Sequence, residues 1–290
     1  MIILLLFQGL SMQIDQVHIR REIMISKLYE KINYQSPVKF LNSSYIREYD
    51  LSKANISALL YEGYISLDEY NFLYSLDKTE REVYIGKLEL KDKKVGEIKA
   101  HGIQEAKRML FELNGLEDLD ILEIRNDAVF VINKQLTNTC FDMFDFKLKN
   151  SYTSYTFINN RLSLFYAFDQ INQVDTIDVK GIRDEKLLLH QNHFIQFICQ
   201  VFYLLQTDSV EESLKYISSF YEEYIKRELP IEYYRTFDAD SVYKINVRNL
   251  SYGLQVIEDN YMNRRGLDIN FNIYIIRTLY SYLSEIYFNR

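Results

Sequence analysis

Leu122-Glu123-Ile124-Arg125-Asn126-Asp127-Ala128-Val129-Phe130-Val131-Ile132 is the stretch on which the fold turns. Two β-prone runs, residues 119–125 and 128–132, flank Asn126-Asp127. Asn and Asp tolerate the left-handed backbone region and bond their own main chain, so the pair suits a tight turn between strands. That puts a carboxylate, Asp127, at the tip of a hairpin. Upstream, residues 45–50 read as a strand ending on Asp50, and residues 51–60 as a turn into a helix. Two carboxylates at strand ends suit shared divalent ions, because Mg²⁺ sites use one or two carboxylates plus substrate phosphates. Asp at a turn and Asp ahead of a helix are also ordinary structural choices.

The rest of the chain supports an ordered body around that hairpin. It has 290 residues and is 48% hydrophobic, enough for a sizeable core in one large domain or two. Tyr (25) and Phe (18) are abundant while Pro (2) is scarce, which excludes a disordered or collagen-like chain. Two cysteines, Cys140 and Cys199, offer neither a disulfide framework nor metal spacing, so a reducing cytoplasmic compartment is expected. The apolar run 1–10 lacks a basic start and is too short for a bilayer, so no membrane association is expected. It reads as a buried strand or as sequence ahead of a start at Met12. The net charge of −7 argues against a whole-surface nucleic-acid binder. The basic residues of 78–99, Arg81 and Lys87 among them, are interleaved with acids and read first as a solvated mixed face.

Residues 11–34 read as a helix broken by Ser36-Pro37. Ser66-Leu67-Asp68-Glu69 is a capping box opening a helical segment over 66–90, whose second half is a candidate separate element. Residues 97–114 make the clearest amphipathic helix, with Ile98, Ile103, Ala106, Met109, Leu110 and Leu113 on its apolar face and Asn114-Gly115 at its end. β-like runs follow at 144–148, 154–158, 162–168 and 176–179, with Asn159-Asn160 as a turn. From residue 184 the pattern becomes helical, over 185–206, 209–228 and 269–288. The expected class is α+β: an antiparallel sheet with packed helices over 1–184, then a helical part over 185–290.

Four pieces in this order resemble the palm of a family-B DNA polymerase. Tyr49-Asp50-Leu51-Ser52-Lys53-Ala54-Asn55 resembles the first acidic motif. Gly102-Ile103-Gln104-Glu105-Ala106-Lys107-Arg108-Met109-Leu110 resembles the helix before the second. Arg125-Asn126-Asp127-Ala128-Val129-Phe130-Val131 resembles the Asp-Thr-Asp-Ser hairpin. Residues 160–166 with Val179-Lys180-Gly181-Ile182 resemble the basic-aromatic strand and the Lys-Gly element that follow the palm. The resemblance covers about residues 40–185. It implies a palm with a short fingers-like insertion over about 63–96 and a thumb-like helical part after 184. It further implies Mg²⁺ or Mn²⁺ on Asp50 and Asp127, nucleotidyl transfer from a nucleoside triphosphate to a primer end, and Lys180 against nucleic-acid backbone. Arg81 or Lys87 would meet the triphosphate.

The sequence departs from the family at three places. Arg125 stands where the hairpin has its first Asp. Asn55 stands where the family has the Tyr that screens ribose from deoxyribose. The fingers motif (Lys, then Asn-Ser-x-Tyr-Gly) is not recognisable. These departures keep a second reading open: a catalytically inactive palm-like protein serving as a binding or assembly module in a viral or mobile-element complex, with a protein partner or as a homo-oligomer. His190 and His193 lack further ligands for a metal site. The aromatics Tyr203, Phe220, Tyr221, Tyr224, Tyr233 and Tyr234 suit base stacking or, more simply, helix packing.

Overall fold

The computed structural model describes residues 28–42, 44–158, 162–169, 171–172, 174–181, 192–230, 233 and 267–288. The apolar run 1–10, most of the helix expected over 11–34, the turn Asn159-Asn160, His190, Tyr234 and most of 231–268 lie outside the described residues, as does the side chain of His193. The chain is α+β, with two sheets built from antiparallel pairs and helices after them, and it divides into two units: residues 1–37 with 45–151, and residues 38–44 with 152–290.

In the first unit the strands are β1 (Asn33–Gln35), β3 (Ile46–Leu51), β4 (Ile121–Arg125), β5 (Ala128–Ile132), β6 (Cys140–Phe141) and β7 (Phe144–Tyr152), ordered β1-β4-β5-β3-β7-β6. The expected helix does not extend through Asn33 and Tyr34. They belong to β1, because Asn33 and Tyr34 pair with Arg125 and Ile124 of β4. The hairpin forms as the Asn-Asp pair suggests: Asn126 takes a φ of 53° in the left-handed region. Between β3 and β4 lie α1 (Ala54–Tyr61), α2 (Leu67–Ser75), α3 (Lys78–Lys91) and α4 (Lys94–Asn114).

The capping box holds: Ser66 Oγ accepts from the Glu69 amide, and the Glu69 carboxylate accepts from the Ser66 amide. The segment after it is two helices. Asp77 caps α3 by accepting from the Glu80 amide at 2.9 Å, so the chain restarts there. The α4 helix ends at Gly115, whose φ of 54° is left-handed.

Alternation along β3 and β5 turns Tyr49, Val129 and Val131 onto α4, where Ala106, Leu110 and Phe111 complete a buried core with Ile124, Phe144 and Phe146. A second cluster joins Ile56 and Leu59 of α1 to Leu73, Ile85 and Val95 of the next three helices. The crossing of α1 and α4 is close at one point. A Cβ added to Gly102 would lie 2.7 Å from the Cβ of Ala58.

The second unit has a sheet in the order β10-β9-β8-β2, from β2 (Phe40–Leu41), β8 (Ser154–Ile158), β9 (Leu162–Asp169) and β10 (Val174–Lys180). It packs with α5 (Asn192–Thr207), α6 (Val210–Lys226) and α7 (Leu267–Phe288). Leu164, Tyr166 and Val179 share one core with Phe197, Val201, Phe202, Phe220 and Ile276. The division between units therefore falls at 151/152 rather than at 184. Strands β8 to β10 bury their apolar face with the C-terminal helices. Phe220 and Tyr224 are core residues here, with the Phe220 ring 3.9 Å from that of Phe197.

Candidate functional site

The end of β3 and the tip of the β4–β5 hairpin are held side by side. Asp50 pairs in register with Ala128, and the Leu51 amide donates to the Asp127 carbonyl at 3.3 Å. The chain then leaves the sheet sharply. The Ser52 amide donates to the Asp145 carbonyl at 2.8 Å, and Lys53 takes a left-handed φ of 52° before α1 begins. This geometry places both carboxylates on one cavity of about 580 Å³, which residues of α1, α3 and α4 also line.

Asp50 and Asp127 line the cavity from the sheet, with Glu82 of α3 as a third acid, while Lys53 before α1, Lys78 and Arg81 of α3, and Lys99 and Lys107 of α4 supply cations. Burial pushes the Asp127 carboxyl above its ordinary range, and the neighbouring Asp50 charge pushes the same way. The carboxyl's own backbone amide, Lys149 and Lys78 oppose the shift. A buried acid whose ionisation a neighbouring carboxylate makes costlier is a site that favours a cation.

Lys107 is the residue that sequence reasoning placed without a role. It is 1% exposed, and its Nζ donates to the Lys31 carbonyl at 2.5 Å. Burial lowers its ammonium to about 8, against a pull upward from Asp127. A signal was present in the chain: Lys107 is four residues after Ile103 and three before Leu110, so helical spacing puts it on the apolar face of α4.

The sequence-derived candidates separate clearly. Asp50, Asp127, Asn55 and Arg81 all line the cavity; Lys87 does not. Arg81 is nearly buried and donates to the Leu76 carbonyl at 3.2 Å. Asn55, in the first turn of α1, donates its amide to both carboxylate oxygens of Glu82 on α3, at 3.3 and 3.2 Å. Arg125 is absent from the lining and forms an ion pair with the buried Glu123. Lys180 belongs to the second unit, where its Nζ lies 2.6 Å from the Asp178 carboxylate. Cys140 and Cys199 are unbridged, Cys140 exposed and Cys199 buried. Burial raises the Cys199 thiol to about 12.

Among the described residues no group of three or more His, Cys, Asp or Glu is arranged to hold a metal ion. The Asp50–Asp127 pair is a two-carboxylate set, which fits an ion such as Mg²⁺ that completes its shell with water and substrate phosphate. Among the described residues no helix is long and apolar enough to cross a membrane.

No curated protein matches the chain. The family described as Bacteriophage PBS1 gene 130 protein matches residues 24–284, spanning both units and the whole of the Asp50–Asp127 cavity. The chain belongs to that phage protein family.

Proposed function

We propose that the chain is a reduced, palm-like nucleotidyltransferase of phage origin, acting on a nucleic-acid end with a nucleoside triphosphate and Mg²⁺ or Mn²⁺. The observation that carries this reading is that Asp50 and Asp127, from separate strands, line one cavity whose helical walls carry Lys78, Arg81, Lys99 and Lys107. The order of parts supports it as well: an acid-ending strand, a helical insertion, a long helix and an acid-tipped hairpin follow the order of the palm that the sequence resembles.

Asp50 and Asp127 would hold the ions. Bound there, the ions supply charge neutralisation at the transferring phosphate and activation of the attacking hydroxyl. The chain's own part is positioning and electrostatics. Burial makes ionisation of the Asp127 carboxyl costlier, and a bound cation would offset that cost. Lys78 and Arg81 balance the charge of a polyphosphate, and Lys107, fixed on the Lys31 carbonyl, adds a cation close to Asp127. Under this reading Lys180 of the second unit contacts nucleic-acid backbone.

One observation favours the second reading, an inactive binding or assembly module. Arg125 occupies the position of a family carboxylate, and its charge is directed to Glu123. The deciding experiment measures nucleotide incorporation on primed DNA and RNA templates with Mg²⁺ or Mn²⁺. Wild-type activity lost in both Asp50→Asn and Asp127→Asn supports transfer. Incorporation by Asp127→Asn at the wild-type rate overturns it, and no incorporation under any condition favours the module.

A further inference from the structure

The four sheet ends that the described residues form are unequal in length. The first sheet ends in β1, of three residues, and β6, of two, and the second ends at one side in β2, of two. Strands that short give a second chain little to pair with, which is one way an edge is protected. β10 ends the second sheet at its other side and runs seven residues, Val174–Lys180, in continuous register with β9. It carries no proline, no glycine and no bulge. Among the described residues no strand pairs with its outer side. Two apolar side chains on it are exposed, Val174 at 55% and Ile177 at 41%. Its acids are engaged elsewhere. Asp175 accepts from the Tyr166 hydroxyl at 2.6 Å, and Asp178 accepts from the Tyr152 hydroxyl at 2.8 Å and pairs with Lys180. Both carboxylates are thereby tied within the second unit.

The residues of the strand say which partner fits. Laid antiparallel on a copy of itself about Ile177, β10 sets Ile177 opposite Ile177, Asp175 opposite Val179, Thr176 opposite Asp178 and Val174 opposite Lys180. No like charges stand opposite one another in that register, and the exposed isoleucines meet at its centre. Parallel pairing in register would set each Asp against its twin, and like charges directly opposite are destabilising. We infer that β10 is a dimerisation edge: it pairs antiparallel with the β10 of a second copy about a two-fold axis at Ile177, joining the two sheets into one. Each copy offers the same surface, as a two-fold interface requires. Main-chain hydrogen bonds along the strand supply the affinity. The edge lies wholly in the second unit, so dimerisation does not depend on the chemistry of the Asp50–Asp127 cavity.

Sedimentation velocity of the full-length chain over a concentration series is the test. The wild type is expected to approach twice the 34.8 kDa of one chain. Ile177→Lys and Ile177→Glu, each checked by circular dichroism for an intact fold, put like charges face to face at the axis and are expected to weaken the dimer about ten-fold. Mixing the two variants puts opposite charges there and is expected to restore it. A wild type that keeps the mass of one chain overturns the inference and leaves the edge to a strand of another protein. A dimer that both substitutions leave intact is built on another face. A dimer that they weaken and mixing does not restore is not paired about Ile177. Either result overturns the inference too.

Discussion

Gly102 on α4 meets Ala58 on α1 with no room for a methyl group: its missing Cβ would lie 2.7 Å from the Ala58 Cβ and 2.8 Å from the Ala58 Cα. Backbone, not a flexible side-chain end, is in the way. The two helices joined at this point carry Asn55 on one side of the cavity and Lys99 and Lys107 on the other. Gly102→Ala must push them apart. It is expected to destabilise the chain by about 1–3 kcal/mol, as overpacking does. Nucleotide affinity should fall with it, even though residue 102 is outside the cavity lining. Chemical denaturation and nucleotide titration of the variant check both effects.

Asp127 sets function against stability. Its carboxyl is raised above 3.8, so the stability it contributes is present below that value and is lost as pH rises through the higher folded value. At neutral pH and without divalent metal, the ionised side chain is therefore a burden on the fold. Asp127→Asn should raise the melting temperature of the metal-free protein by about 2–4 °C. The same change should cut metal-dependent incorporation at least about a hundred-fold. A lower melting temperature in calorimetry would count against the carboxyl's being buried beside Asp50.

Lys107 gives the opposite pH dependence at the alkaline end. Its ammonium falls from 10.5 in the unfolded chain to about 8 in the fold. Between those values the unfolded chain holds a proton that the folded chain has released, so stability rises with pH. The contribution is complete above 10.5 and is lost as pH falls through about 8. Lys107→Met lacks this titration. Denaturation at several pH values from 7 to 10 should show the wild type gaining on Lys107→Met by roughly 1–3 kcal/mol. Parallel profiles would refute the buried ammonium.

Arg125→Ala tests whether Arg125 serves the fold or the cavity. The substitution leaves Glu123, which is 2% exposed, without its guanidinium partner. A loss of about 1–3 kcal/mol in stability follows from removing that ion pair at a buried carboxylate. Nucleotide and metal binding should stay near wild type, since Arg125 is outside the cavity lining. Binding lost in parallel with stability, measured well below the melting temperature, would put Arg125 in the site after all.

Local signals were the legible part of this chain. Asn126-Asp127 announced a hairpin because a tight turn needs a residue that accepts positive φ, and Asn126 supplies it. Ser66 and Glu69 announced a helix start through a bond pattern confined to four residues. On α4, Ile103, Ala106, Met109 and Leu110 pack as their spacing suggests, whereas Leu113 near the helix end is exposed. What stayed illegible depends on partners distant in sequence. Asn33 and Tyr34 look helical until β4 is there to pair with them. Strands β8 to β10 look like a continuation of the first sheet until the C-terminal helices cover them. At the site, Arg81 and Lys87 are indistinguishable as letters; only the packing of α3 turns Arg81 inward. Lys107 was passed over because a lysine in a helix normally faces water, and here it does not.

The short strand β2 shapes how the molecule must be made. Phe40 and Leu41 pair with Thr156 and Tyr155, and the Lys39 carbonyl accepts from Thr156 Oγ1 across a separation of 117 positions. A chain emerging from the ribosome therefore exposes a strand whose partner has not been synthesised. Closing so long a loop is slow relative to the local hairpin and helices. The first unit must accommodate this excursion while it folds, and a fragment ended at residue 151 would display β2 as an unpaired edge. Assembly of the second unit is thus a late event, completed only when the middle of the chain returns to a segment made near its beginning.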